Sequence, residues 1–191
     1  AATGGDFSTP YEAVRAKYHS LIAGLDAPRA ERAKVALQPL EHECTQILSA
    51  IAALRFCETR TRDLLLSFGE RMMCTLMPFF LDALSHRAVY VDARQLIITD
   101  NRFGNARVLF EKTAANLTLW WKQMDVIPVV TGYIAATEEG ISTTLDRGGS
   151  DYTATIIGGA LGAERVEIWT DVDGAMTADP RVVPEAKIID T

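Results

Sequence analysis

The run Thr143-Thr144-Leu145-Asp146-Arg147-Gly148-Gly149-Ser150-Asp151-Tyr152-Thr153-Ala154 sets an arginine, two glycines, a hydroxyl and a carboxylate in consecutive positions. Together these residue types can bind an anion. Glycines let backbone amides approach a ligand closely. Ser150 is a good N-cap for a helix, and a helix N-terminus favours negative charge through its free N–H groups and its dipole. The Arg147 guanidinium adds a planar fork that suits a carboxylate or a phosphate. One helix later come Trp169-Thr170-Asp171-Val172-Asp173-Gly174 and Ala178-Asp179-Pro180-Arg181, two polar, turn-rich segments.

The elements that must position these groups read as follows. Residues 1–9 are small and polar and form a linker; residues 10–191 read as one partial domain, helical over 10–87 and α/β over 88–191. Pro10 to Ala23 is helical, with Gly24 as its cap, and Asp26 and Pro28 open the next helix. That helix carries an apolar stripe from Leu37 to Leu54, with Pro39 as a kink or the true start and Glu41, Glu43 and Arg55 on a solvated face. Glu58 to Ser85 is helical with a break at Ser67 to Gly69 and a kink at Pro78, which puts Glu70 at a helix start. Ala88 to Val91 is a short strand, with Gln95 to Ile98 a second strand or its continuation, and Thr99 to Asn105 is a loop. Arg107 to Lys122 is a helix whose packed face holds Leu109, Phe110, Ala114, Leu117 and Trp121. Val126 to Thr131 is a buried strand, Ala135 to Ser142 a polar hairpin or flap, Tyr152 to Leu161 a helix capped by Gly162, and Val166 to Trp169 a parallel strand. Helices alternating with buried strands give an α/β fold, a three-layer αβα sandwich on a mainly parallel sheet.

Composition narrows the function classes. The chain has 191 residues and a net charge of −6, which argues against nucleic-acid and acidic-membrane partners. Cys44, Cys57 and Cys74 fall in helical apolar patterns and read as reduced core cysteines of a cytoplasmic protein. No apolar run reaches the length of a membrane span. His19, His42 and His86 form no metal-ligand pattern with the cysteines.

Five ordered blocks carry a family resemblance. TTLDRGGSDYTA resembles the TTLGRGGSDYTA signature of aspartokinases, and WTDVDGAMTADPR resembles their W(K/T)DVDG(I/V)YTADPR segment. Ser67 to Arg71 resembles their SFGE block, Thr99 to Gly104 their TDDRFG loop, and Val129 to Tyr133 their VVTGF strand end. The resemblance implies the amino-acid kinase fold, incomplete at both ends and with a helical insert in its N-terminal part. It also implies transfer of the ATP γ-phosphoryl group to the side-chain carboxylate of L-aspartate, the first step of lysine, threonine, methionine and isoleucine biosynthesis. By the same resemblance, Arg147 clamps the substrate α-carboxylate and Glu70 accepts from its α-ammonium. Gly148, Gly149 and Ser150 hold the substrate, Tyr133 walls the pocket, and Asp151 orients phosphate-contacting lysines. Thr170, Asp171, Met176 and Arg181 meet the nucleotide, and Mg²⁺ is held mainly by ATP phosphates. A homo-oligomeric parent is implied, and the helical insert from Tyr11 to Cys57, leading into TRDLLLSFGER, resembles that of aspartokinases fused to homoserine dehydrogenase.

Plainer readings stand beside these. Glu70 suits a helix N-terminal charge, Arg147 a surface salt bridge, Ser150 a simple N-cap, Tyr133 core packing, and Asp171 and Asp173 turn residues. The family's KFGG(T/S)S and GAKVLHP lysine segments are not found in this sequence, which implies an internal piece of a catalytic domain, inactive alone. Asp146 replaces the usual glycine, an unhelpful charge beside two incoming anions; Met176 replaces a tyrosine. The rival readings are another kinase of this fold and a non-catalytic remnant that binds ligand without turnover.

Overall fold

The computed structural model describes residues 5–169, 174, 176–179 and 182–189. Three long helices come first: α1 (Ser8–Ile22), α2 (Ala27–Leu54) and α3 (Thr59–Ala83). Asp26 caps α2 by accepting the Arg29 amide, with proline in the first turn, as the sequence predicts. Pro39 does not mark the start of α2, which runs through it. Leu37, Cys44 and Ile51 are buried on both sides of it, and that packing offsets the lost backbone bond. Glu41 is not on a solvated face. It is 8% exposed, with Arg15 Nε 3.3 Å and His19 Nε2 2.9 Å from its Oε1, so it ties α1 to α2.

The expected break in α3 is also absent: Ser67, Phe68, Gly69 and Glu70 are mid-helix. A lone glycine costs a helix only about 1 kcal/mol, and the buried row Asp63, Ser67, Phe68, Met72 and Leu76 outweighs it. Pro78 likewise lies inside α3. Contrary to expectation, α3 contains a window long and apolar enough, by composition, for a membrane span. Here it is the central helix, packed on α1, α2 and three strands. Its apolar side joins Ile22, Ala33, Leu37 and Cys44 in the helical core.

The α/β part places β1 (Ala88–Val91) parallel to β3 (Ile127–Val130), with Tyr90 opposite Val129. A second sheet has β2 (Ile98–Thr99) parallel to β4 (Ile134–Thr137), which is antiparallel to β5 (Ser142–Thr144). Helices α4 (Phe110–Trp121) and α5 (Gly149–Leu161) pack on each other. Leu117 and Ile156 bring them onto Val91, Ile97, Ala135 and Leu145, while α3 contacts β1, β3 and β5. The result is the expected αβα layering.

Several local expectations change. Gln95 to Ile98 is not one strand: Asp92 accepts the Arg94 amide and starts a 3-10 turn at Ala93–Gln95, leaving β2 two residues long. α4 starts at Phe110, and its packed face is Thr113, Leu117 and Trp120; Phe110 and Trp121 are exposed. β3 is only half-buried, whereas Ile134 to Thr137 is a fully buried strand, although the sequence predicts a polar connection from Ala135 onward. Val166 to Trp169 forms no strand and is exposed, Trp169 to 89%.

Candidate functional site

Three segments meet beside the middle of α3. The first is α3 itself, carrying half-buried Glu70. The second is the Gly132–Tyr133 turn between β3 and β4. The third is the start of α5. The segments approach so closely that two glycines are required. A Cβ on Gly132 would fall 2.8 Å from Ser150 Oγ and 3.0 Å from Ser150 Cα, and one on Gly149 would fall 2.7 Å from Tyr133 Cδ2.

Tyr133 adopts φ 65°, a left-handed conformation that a side chain rarely takes. Such strain costs about 1–3 kcal/mol and persists where the surroundings over-determine it. They do so here. Ile134 N–H donates to Gly132 O at 2.7 Å and Leu145 N–H donates to Tyr133 O at 2.8 Å. Tyr133 N–H donates to Thr153 Oγ1 at 3.1 Å, and the Thr153 hydroxyl donates to Gly149 O at 2.8 Å. Thr153 therefore fastens the turn to the first turn of α5.

Burial raises the pKa of Glu70, and the Gly132 amide hydrogen bond opposes this only in part. Among the described residues no cation pairs with it. Cys74, one turn on, is pushed up to about 11, first by burial and then by the charges of Glu70 and Asp92. A half-buried carboxylate beside an amide, with no cation partner, suits an incoming ammonium.

Ser150 is not the N-cap. Gly148 holds that position at φ 75°, and Ser150 lies in the first turn with its side chain on Gly132. The first-turn N–H groups have no intrahelical acceptors and the helix dipole is positive there. The structure thus gathers Glu70, Tyr133, Gly149 and Ser150, with Gly148 at the helix mouth. Arg147 and Asp151 flank these residues and, like Ser150, are exposed. Arg147 lines a neighbouring cleft of about 410 Å³ with Asn105, Arg107, Val108, Phe110, Asp146 and Tyr152. Asp146 folds back, its Oδ1 accepting the Arg147 amide at 2.7 Å. Met176 bridges to Ile188 near the end of the chain. Thr170, Asp171, Asp173 and Arg181 lie outside the described residues.

Sequence reasoning missed two buried polar residues of α3. Asp63, 0% exposed, accepts from Gly104 N at 2.7 Å, Thr144 N at 3.2 Å and Thr144 Oγ1 at 2.9 Å. Arg71 donates from Nη2 to Glu43 at 3.0 Å and lies over the Phe68 ring, with its Nε 4.0 Å from Asp92. Both fall on the helix's own buried period, beside Ser67, Phe68, Met72 and Leu76. A charged residue in an apolar row was the available signal.

The model of the amino acid kinase family matches residues 10–191. The chain belongs to the amino acid kinase family. Among family members, Arabidopsis thaliana chloroplastic aspartokinase 2 is 40% identical over 149 residues, 75% of this chain and 27% of that protein. Lysine-sensitive aspartokinase 3 of Escherichia coli K12 is 41% identical over 146 residues, 75% of this chain and 32% of that protein. The structure of E. coli aspartokinase III in complex with aspartate and ADP, in the R-state, superposes with a TM-score of 0.87 at 33% identity. That match covers 99% of this chain and 42% of the other. The T-state complex with lysine and aspartate gives 0.83 at 34% identity, covering 99% and 43%. The chain thus spans about a third or less of these curated relatives, and its fold matches part of E. coli aspartokinase III.

Proposed function

We propose that the protein carrying this sequence is an aspartate kinase, which transfers the ATP γ-phosphoryl group to the side-chain carboxylate of L-aspartate and yields 4-phospho-L-aspartate. The observation that carries this reading is the half-buried Glu70 carboxylate against the Gly132 amide, opposite the N-terminus of α5. It occurs in a fold that matches a relative solved with aspartate and ADP.

The arrangement suits a zwitterionic substrate. Glu70 accepts from the α-ammonium, which selects an amino acid over a plain diacid. The Gly148–Ser150 turn and Arg147 receive carboxylate charge, with Arg147 turning in from its exposed position on a long stem. Tyr133 is locked as one wall. A carboxylate is already nucleophilic, so the site needs no general base; it has to orient two anions and balance charge on the moving phosphoryl group. Asp151 orients lysines from elsewhere in the protein. Thr170, Asp171, Met176 and Arg181 attend the nucleotide, and Mg²⁺ is held mainly by ATP phosphates and water. Among the described residues no three His, Cys, Asp or Glu side chains gather into a metal site. We place the protein in a cytoplasmic homo-oligomer with no nucleic-acid or membrane partner.

The test is aspartyl-hydroxamate formation by the full-length protein. Product that depends on both aspartate and ATP, and is abolished in Glu70→Ala, supports the reading; none from the folded protein overturns it. Asp146 at the helix mouth favours the rival reading of a binding remnant. Aspartate binding without turnover would support that rival.

A further inference from the structure

We infer that Asp63 is a positioning residue that sets the separation between the two poles of the substrate site, an inference that rests on the aspartate kinase reading above. Asp63 and Glu70 lie on the same helix, seven residues or about two turns apart, so Asp63 is fixed rigidly relative to the ammonium-binding pole. Its carboxylate is completely buried, and among the described residues its partners are two backbone amides and one hydroxyl, with no cation. Burying a charge this way is costly unless its hydrogen bonds are complete, so both oxygens are committed to specific chain segments.

Both of those segments lead to the site. Thr144, which gives Asp63 its amide and its hydroxyl, pairs with Ile134 directly after the Gly132–Tyr133 turn. Leu145, the next residue, holds Tyr133 O. Three residues past Thr144 is Arg147, followed by the helix mouth. Gly104, the other donor, belongs to the loop that continues to Ala106, whose amide donates to Thr144 O at 3.1 Å. Gly104 sits at φ +88°, and a Cβ there would meet Arg62 Nη2 at 2.8 Å, so this loop lies tight on α3. Among the described residues, Asp63 is therefore the side chain of α3 that hydrogen-bonds the strand leading from the Tyr133 turn to the carboxylate-binding pole. It touches neither pole itself.

The experiment varies aspartate and ATP separately in the full-length protein and follows ADP release. Asp63→Asn preserves shape and can keep an oxygen toward the two amides, but it removes the charge and turns an amide nitrogen toward the Thr144 hydroxyl, reversing that bond. It is expected to raise the aspartate KM about tenfold or more, with the ATP KM within about twofold, because hydrogen bonds to charged groups are the strong ones. Thr144→Val removes only the hydroxyl and should raise the aspartate KM about two- to tenfold, with Thr144→Ser restoring it. A merely structural role would lower the folded fraction and hence kcat, leaving both KM values alone. That result, or an unchanged aspartate KM, overturns the inference. If Asp63→Asn does not fold, the Thr144 pair decides by the same criterion. An inactive wild type overturns the kinase reading and this inference with it, whereas an active wild type with unmoved KM values overturns this inference alone.

Discussion

Replacing Gly132 with alanine tests the closeness of the turn and α5 more directly than any change to a charged group. The glycine's φ is not in the left-handed range, so alanine brings no backbone strain and the whole effect is contact. The new Cβ would lie 2.8 Å from Ser150 Oγ, 2.9 Å from its Cβ and 3.0 Å from its Cα. The hydroxyl can rotate away, but the Cα belongs to the first turn of α5 and can move only with the helix. Overpacking costs about 1–3 kcal/mol, and a backbone obstacle puts this case at about 2–3. At about 2–4 °C per kcal/mol for a domain of this size, the expected loss is about 4–12 °C. The same displacement widens the gap between Glu70 and the helix mouth, so the aspartate KM should rise.

Gly69→Ala is the matched control. A Cβ there meets nothing within 4 Å, and the position is inside α3, where alanine gains up to about 1 kcal/mol over glycine. Thermal unfolding of both full-length variants, read at the transition that aspartate shifts, should move in opposite directions. A Gly132→Ala protein that melts and binds aspartate like wild type would refute the close packing. A Gly69→Ala protein that melts lower would refute the uninterrupted helix.

Three further outcomes are expected. Glu70→Gln should lose aspartate affinity yet leave the ligand-free protein as stable as wild type or more so at pH 7. Burial holds the folded pKa of Glu70 above its ordinary value, so its contribution is fully present below the unfolded pKa and is lost as pH rises through the folded one. The stability difference should therefore vanish in acid below the ordinary carboxylate range, and a difference that persists there would count against the sign given. Asp146→Gly frees the Arg147 amide and removes an exposed negative charge at the helix mouth. The aspartate KM should fall by about two- to fivefold at low salt, with less gain at high salt, as befits exposed charges; a rise in KM would show that Asp146 is needed to hold the loop. Arg71→Met should destabilise by about 1–3 kcal/mol in denaturant titration. Glu43 is half-exposed and Asp92 keeps its bonds to Arg94, so the cost stays below that of orphaning a fully buried charge. A loss above that range would mean that Asp92 depends on Arg71.

The sequence showed the layering and the glycine-bearing mouth of α5, because hydrophobic periodicity and the RGGSD types are local properties. It misled where tertiary contacts overrule local rules. Ser67 to Gly69 looks like a break, yet the row from Asp63 to Leu76 keeps α3 whole. Ser150 looks like a cap, but Gly148 turns the chain two residues earlier and Ser150 is pressed on Gly132. Glu41 looks solvated only if Arg15 and His19, on another helix, are ignored. Nothing in local pattern could announce Thr153, whose value lies in joining Tyr133 to Gly149 across the fold.

That Glu70 is mid-helix rather than at a helix start changes the physical account of the site. At a helix start the dipole would stabilise its charge and make it a structural group. Two turns past Asp63 in an unbroken helix it has no such support, and burial works against its ionised form. Among the described residues its relief comes from the Gly132 amide. An ammonium would supply what the protein does not, while the positive end of α5 faces the same space from the far side of Gly132. One element carries the negative pole and another the positive, and their separation is set by glycines that no side chain can replace. On the proposed reading such a frame asks for an amine at the Glu70 end, which a plain diacid lacks.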